Sequence, residues 1–256
     1  MEPWKTAIST SDEKSIWIRG QEISGLMAGS SFTDVIFLLH HGRAPSIGER
    51  RLLDAILIGV ADHGPGSPSA AASRLVASGN RQAPEAAVAA GVLAIGDMHA
   101  GAGLACMHMI ESGLELCRNE SLSIAEAAAR IVDETRKRKE RLPGFGHRVH
   151  TIDPRTGVLF EMARETKLAG KGIEFVTAVE FAAREKIKPL PINIDGALAA
   201  VLYDLGFEPL FAKLVFIIGR VAGLSAQVME EYTRERAMRI KIPVTYDGVP
   251  PQSNGG

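Results

Sequence analysis

The stretch "LPGFGHRVHTIDPR", Leu142 to Arg155, sets glycines, two histidines and two arginines between two helical segments. Glycine supplies backbone that can turn sharply or approach a ligand closely. Imidazole titrates near neutrality, and guanidinium forks hold carboxylates in pairs of hydrogen bonds. A polar connecting loop is the plain alternative, and it needs none of these three together.

On both sides of this stretch the spacing of apolar residues predicts helices. "FTDVIFLLHHG" starts after Ser30 and Ser31 and stops at Gly42. "SIGERRLLDAILIGVADHG" opens with a Ser46/Glu49 capping box and runs to Gly64 and Pro65, and "SPSAAASRLVAS" follows. "APEAAVAAGVLAIGDMHAGAGLACMHMIESG" carries central glycines, so it is two helices or one broken helix. "SLSIAEAAARIVDETRKRKE" has a second capping box, Ser123/Glu126, and a basic end that suits the helix dipole. "VLFEMARETKLAG", "GIEFVTAVEFAAREKI", "NIDGALAAVLYDLGF" and "PLFAKLVFIIGRVAGLSAQVMEEYTRER" complete the set. Residues 5 to 19 alternate in the manner of a short β-hairpin, and the Pro/Gly/Ser-rich tail is expected to fray. The fold class is therefore all-α with a short N-terminal hairpin.

The 256 residues suffice for one large domain or two smaller ones. A net charge of -1 offers nothing to nucleic acid or an anionic membrane. Two cysteines, Cys106 and Cys117, suit a reducing compartment. The start "MEPWKTAIST" has no signal-peptide character, and the apolar run "LVFIIG" is too short to span a bilayer. A soluble cytoplasmic protein is expected. No Rossmann, P-loop, nucleophile-elbow or HExxH pattern occurs, and no paired CxxC suggests a metal.

Four segments place an ionisable side chain beside glycine or proline: "DHGPGSPS" at His63, "GDMHAGAG" at His99, "GFGHRVHTIDPR" at His147 and "PINIDGA" at Asp195. Singly each is weak; Asp195 alone reads equally well as a helix N-cap. His40 and His41 fit a helix C-terminus, and His108 lies in an apolar stripe as core or rim. Together with "GRVAG", and in this order, the segments resemble the citrate synthase superfamily. The resemblance runs from about residue 20 to residue 230 and is strongest to its small citryl-CoA lyases and the citryl-CoA-cleaving domain of ATP-citrate lyase.

The resemblance implies a citrate synthase-like fold of two helical domains working as a homodimer. Residues 1–98 and 207–256 would form the large domain and 99–206 the small, CoA-binding one. It implies a Claisen reaction at an acyl-CoA thioester. Asp195 matches the carbon acid/base, His99 the hydrogen-bond donor to the enolate oxygen, and His147 the group exchanging a proton with the carbinol oxygen. Arg155 and Arg220 match the carboxylate ligands of oxaloacetate, with His63 as a further substrate contact and Arg148 as a secondary one. The backbone of Pro143, Gly144, Phe145 and Gly146 matches the loop holding the CoA adenine. Coenzyme A enters as part of the substrate, and no permanently bound cofactor, metal, nucleic acid or membrane is implied.

The chain departs from the family in two places. His147 to "DPR" is one residue shorter than usual, and "KIPV", with Ile242 before Pro243, stands where a family arginine is expected. The short chain and the missing arginine favour a citryl-CoA lyase over a citrate or 2-methylcitrate synthase. A non-catalytic CoA-binding homologue would show the loss of a catalytic residue, yet His99, His147 and Asp195 are all present. A three-histidine metal site finds no support in the spacing.

Overall fold

A computed structural model describes residues 2–97, 99–146 and 153–249. The capping boxes expected at Ser46 and Ser123 both form, and Ser31 makes a third with Asp34. They open α2 (Phe32–His41), α3 (Ile47–Val60) and α7 (Ile124–Lys137). In each, the serine oxygen takes an amide that has no partner within its helix, while the acidic residue returns to the cap amide. Gly42 ends α2 at φ 83°, a left-handed position natural to glycine.

One boundary and one element differ from the expectation. The third helix ends at Val60 rather than running to Gly64. The Val60 carbonyl accepts from Arg220 Nε at 2.8 Å, and the Gly64 amide turns instead to Asp62 Oδ2 at 2.9 Å. A tertiary contact thus closes the helix four residues early. A short helix, α1 (Ile23–Gly29), is present where no periodicity announced one.

The N-terminal hairpin forms as β1 (Ser9–Ser11) against β2 (Ile16–Ile18) and gains a third antiparallel strand, β3 (Gln21–Glu22). Arg19 and Gly20 both take positive φ, 49° and 79°, which gives the two-residue turn the twist the strands need. The glycine-interrupted run resolves into two helices, α5 (Pro84–Leu93) and α6 (Ala102–Glu120), following α4 (Pro68–Gly79). The remainder are α8 (Pro154–Glu165), α9 (Lys171–Lys186), α10 (Ile194–Asp204) and α11 (Pro209–Arg234).

By length and composition α11 is apolar enough to cross a membrane, a longer apolar segment than "LVFIIG" alone suggests. Here it packs against α3, α4, α5, α6 and α10 and buries Arg220 and Glu231 on its inward side. The helices α6 to α10 pack chiefly on one another, with α10 lying against α6, α8 and α9, and α7 against α9. One continuous core joins the two groups, from Phe37 and Leu52 through Ile110 to Phe175, Leu198 and Phe216.

The start of α9 has no side-chain cap of its own. Asp204, the last residue of α10, supplies one by accepting the amides of Gly170 (2.8 Å), Gly172 (2.7 Å) and Ile173 (3.2 Å). Asp204→Ala is expected to lower unfolding stability by about 1–3 kcal/mol in urea titration, because partly buried donors lose their acceptor.

Candidate active site

In "PINID" the cap of α10 is Asn193, not Asp195. Its Oδ1 accepts the amides of Asp195 (2.9 Å) and Gly196 (3.2 Å). Asp195 therefore stands in the first turn with its carboxyl group released from capping. Oδ1 is sealed from solvent and has no hydrogen-bond partner, the one carboxylate atom so placed among the described residues. Burial pushes this carboxyl up to about 6; Arg155 and Arg220 pull it down, and Asp153 pushes it up. Burial outweighs both cations. A carboxyl group tuned to half-ionise near neutral pH is what proton transfer at carbon needs.

The glycine-rich loop Pro143–Gly146 braces this residue. Gly144 lies at φ 83°, and a Cβ there would come within 2.6 Å of Gly196 Cα. Its carbonyl accepts the Asn193 amide at 3.0 Å, the Gly146 amide donates to Pro191 O at 2.7 Å, and Asn193 Nδ2 donates to Gly146 O at 2.8 Å. Phe145 bridges to Ile192. Residues 144–146 are thus stitched to the entrance of α10; the close approach requires glycine at 144, and Gly146 takes a positive φ of 81°. His147 and Arg148, which follow at once, lie outside the described residues.

His99 sits in the break between α5 and α6, on a turn in which Gly96 and His99 exchange backbone hydrogen bonds of 2.9 and 3.0 Å. Ala100 takes φ 70° and Gly101 lies tight against Asp97, so Gly101 serves the turn, while Gly103 lets α6 pack closely on Leu198. His99 Nε2 is 3.0 Å from Ser69 Oγ, and Ser69 is fully buried. Arg220 Nη1 donates to the same oxygen at 3.2 Å. The Ser69 hydroxyl accepts from Arg220 and has its own proton to give, so it is able to donate to an unprotonated His99 Nε2, the arrangement that places the imidazole proton on Nδ1. Burial first, then Arg220 and His63, lower the His99 pKa and keep the ring neutral. Phe216 meets His99 edge-on and lies under the Arg220 guanidinium at 4.8 Å.

Arg155 opens α8 beside Asp153. Its Nε and Nη2 donate to the two Asp153 oxygens at 2.9 and 2.8 Å, and Nη1 donates to Gly59 O at 3.0 Å. Arg220, 2% exposed, is pressed toward lower basicity by burial, partly offset by Asp62. Arg155, Arg220 and Asp195 all lie within electrostatic range of one another, and His99 within range of His63 and Arg220. Arg220 thus links two pairs of the expected site residues, Arg155 with Asp195 on one side and His99 with His63 on the other. His108 is not among them: it is exposed and pairs with Glu111 at 3.0 Å, which corrects its reading as core or rim. Sequence reasoning missed Ser69, Asn193 and Asp153. Of these, Asp153 carried a signal, an acceptor directly before a proline at the first helical position.

Comparison with known proteins finds relatives along most of the chain. The family profile "Citrate synthase, C-terminal domain" matches residues 46–241. A citrate synthase of Heyndrickxia coagulans is 28% identical over 80% of this chain and 53% of its own length. The citrate/2-methylcitrate synthase of Bacillus subtilis is 30% identical over 78% and 52%. The chain thus spans about half the length of these curated relatives. A solved structure of citryl-CoA lyase from Hydrogenobacter thermophilus superposes with a TM-score of 0.89 at 38% identity, covering 98% of this chain and 97% of that one. The ATP citrate lyase of Methanosaeta concilii, solved with (3S)-citryl-CoA, shares the fold with a TM-score of 0.78 at 20% identity, over 98% of this chain and 43% of its own.

Proposed function

This chain belongs to the citrate synthase family, and from that premise we propose that it is a citryl-CoA lyase, cleaving citryl-CoA to acetyl-CoA and oxaloacetate. The observation that carries the reading is the buried Asp195 carboxyl group, its Oδ1 without a hydrogen-bond partner, within range of Arg155 and of an Arg220 that also reaches His99. A citryl-CoA lyase of known structure matches the chain along nearly its whole length, which favours lysis over the synthases that it matches over half of theirs.

Cleavage begins with loss of the proton on the tertiary hydroxyl of citryl-CoA, a role we assign to His147. The carbinol carbon becomes the ketone of oxaloacetate as its bond to the thioester arm breaks. The electron pair passes into the thioester, whose oxygen takes up negative charge and accepts the Nδ1–H of His99. Protonated Asp195 then delivers its proton to the terminal carbon, giving acetyl-CoA and an aspartate anion. Arg155 and Arg220 hold the carboxylates of the oxaloacetate moiety, with His63 and Arg148 alongside. The loop Pro143–Gly146 and the coenzyme's adenine would meet on the side of that loop away from α10.

We assign residues 1–98 and 207–256 to a large domain and 99–206 to a small one that closes over substrate. The division is supported by the two groups of mutually packed helices. Asp153, Arg155 and Asp195 come from one, His63, Ser69 and Arg220 from the other, so closure would complete the site. We also assign a homodimer. It is supported by apolar surface left on two helices: Ala86, Ala89 and Leu93 on α5, and Val221, Ala222 and Met229 on α11, are exposed. Two unpaired cysteines support a cytoplasmic location.

Incubation with citryl-CoA should yield acetyl-CoA and oxaloacetate without free thiol. If acetyl-CoA and oxaloacetate instead gave brisk release of CoA with citrate, the protein would be a synthase. Arg220→Leu removes one charge-assisted contact, worth about 1.5–3 kcal/mol. Its KM for oxaloacetate in the condensing direction should rise roughly tenfold to a hundredfold. An unchanged KM would remove Arg220 from the carboxylate site.

A further inference from the structure

Two carboxylates stand at the entrance of α10, and the chemistry just assigned uses one of them. The other, Asp153, has all its acceptor positions engaged. Oδ1 takes the Arg155 amide at 3.1 Å and Nε–H at 2.9 Å; Oδ2 takes Nη2–H at 2.8 Å and the Ile194 amide at 3.0 Å. At 1% exposure it has nothing left to offer a substrate. The same group caps α8, holds the guanidinium in a fork, and grips the amide one residue before Asp195.

We propose that Asp153 is a positioning residue for this reaction, locking the Arg155 carboxylate clamp to the Asp195 acid so that the two meet substrate as one unit. The proposal rests on the roles given above to Arg155 and Asp195. Its physical basis is the geometry of the fork. Arginine ordinarily loses considerable side-chain freedom when fixed, and Arg155 is fixed before substrate arrives by Asp153 on one side and Gly59 O on the other. Charge follows the same arrangement. Asp195 faces Arg155 on α8, Asp153 just ahead of it, Arg220 on α11 and Cys106 on α6. Asp153 offsets the Arg155 charge at Asp195. Burial works against its own ionisation, but the bonds from Arg155 prevail and hold its carboxyl below the usual range. Two neighbouring carboxyl groups are thereby driven in opposite directions, one kept as a fixed anion and one kept ready to carry a proton.

The test follows the Asp195 carboxyl carbon by NMR through a pH titration of the ¹³C-aspartate-labelled full chain. In Asp153→Asn the Asp195 titration should move to lower pH, because Arg155 acts on it unopposed. In Arg155→Gln it should move to higher pH. Asp153→Glu, which keeps the charge, should return the titration toward that of the unaltered protein. In parallel, Asp153→Asn should lower kcat for citryl-CoA cleavage about tenfold to a hundredfold and raise KM for oxaloacetate in the reverse direction. A purely structural Asp153 would lower the melting temperature and leave the Asp195 titration unmoved, and that result overturns the proposal. So does a shift of the same sign in both variants. Should Asp153→Asn fail to fold, Arg155→Gln decides alone, by an upward shift or by none. Failure of the unaltered protein to cleave citryl-CoA would reject the assigned reaction, while the titrations would still report on the Asp153–Arg155–Asp195 unit.

Discussion

Asp195→Asn should reduce citryl-CoA cleavage by at least three orders of magnitude while making the protein more stable. General acid–base catalysis alone is worth about 10²–10⁴-fold, and no neighbouring described acid is placed to substitute. The stability gain follows from linkage. The carboxyl is raised from 3.8 to about 6 in the folded protein. A raised carboxyl favours folding below the unfolded pKa and loses that advantage as pH rises through the folded one. At neutral pH its ionised form therefore opposes folding, by at most about 2–3 kcal/mol for a group this deeply set. Asparagine removes that penalty and leaves the Asn193 cap untouched. A higher melting temperature at pH 7.5 with turnover lost is the expected pair of results. Unchanged turnover would mean that the proton comes from elsewhere.

The same titration sets a pH dependence with opposite signs for the two directions. Cleavage needs protonated Asp195 and should weaken as pH rises past about 6; exchange of the methyl protons of acetyl-CoA needs the anion and should weaken as pH falls past it. The two profiles should cross, and parallel profiles would contradict a single group serving both.

What the sequence made legible was local. Ser46 and Ser123 announce their helices because capping is decided within four residues, and the helix over Phe32–His41 is bracketed by a serine and a glycine for the same reason. Where a boundary depends on a distant group, the local signal misleads. The end of α3 is decided by Arg220, far along the chain, which takes the Val60 carbonyl. The segment "ISGLMAG" forms α1 although two glycines in seven residues blur any periodicity. In the site, the ionisable residues stood out through their glycine and proline neighbours, whereas their supports did not. Ser69 is one serine among several in "GSPSAAAS", and only the folded chain shows it between an imidazole and a guanidinium. The glycines of "GFGH" were visible, but the close approach of Gly144 to Gly196 was not, because it joins segments far apart in the chain.

His99→Ala should lower kcat by about 10²–10³-fold in cleavage and in methyl-proton exchange alike, with little change in KM. That range is typical for removal of one donor aimed at a developing oxyanion. The donor works only if the ring is neutral and carries its proton on Nδ1, and named neighbours favour each condition. Burial, Arg220 and His63 disfavour the imidazolium. Ser69, accepting from Arg220, keeps its own proton to give to Nε2, and we assign it that role. Ser69→Ala should therefore retain a neutral ring but release the tautomer, and lose about tenfold rather than hundreds. Nitrogen-15 NMR reads the tautomer directly, independent of activity. A proton found on Nε2 would sink the assignment, because His99 would then present an acceptor to the enolate oxygen. A His99→Ala protein that unfolds more easily yet cleaves citryl-CoA at the normal rate would leave His99 only its place in the turn between α5 and α6.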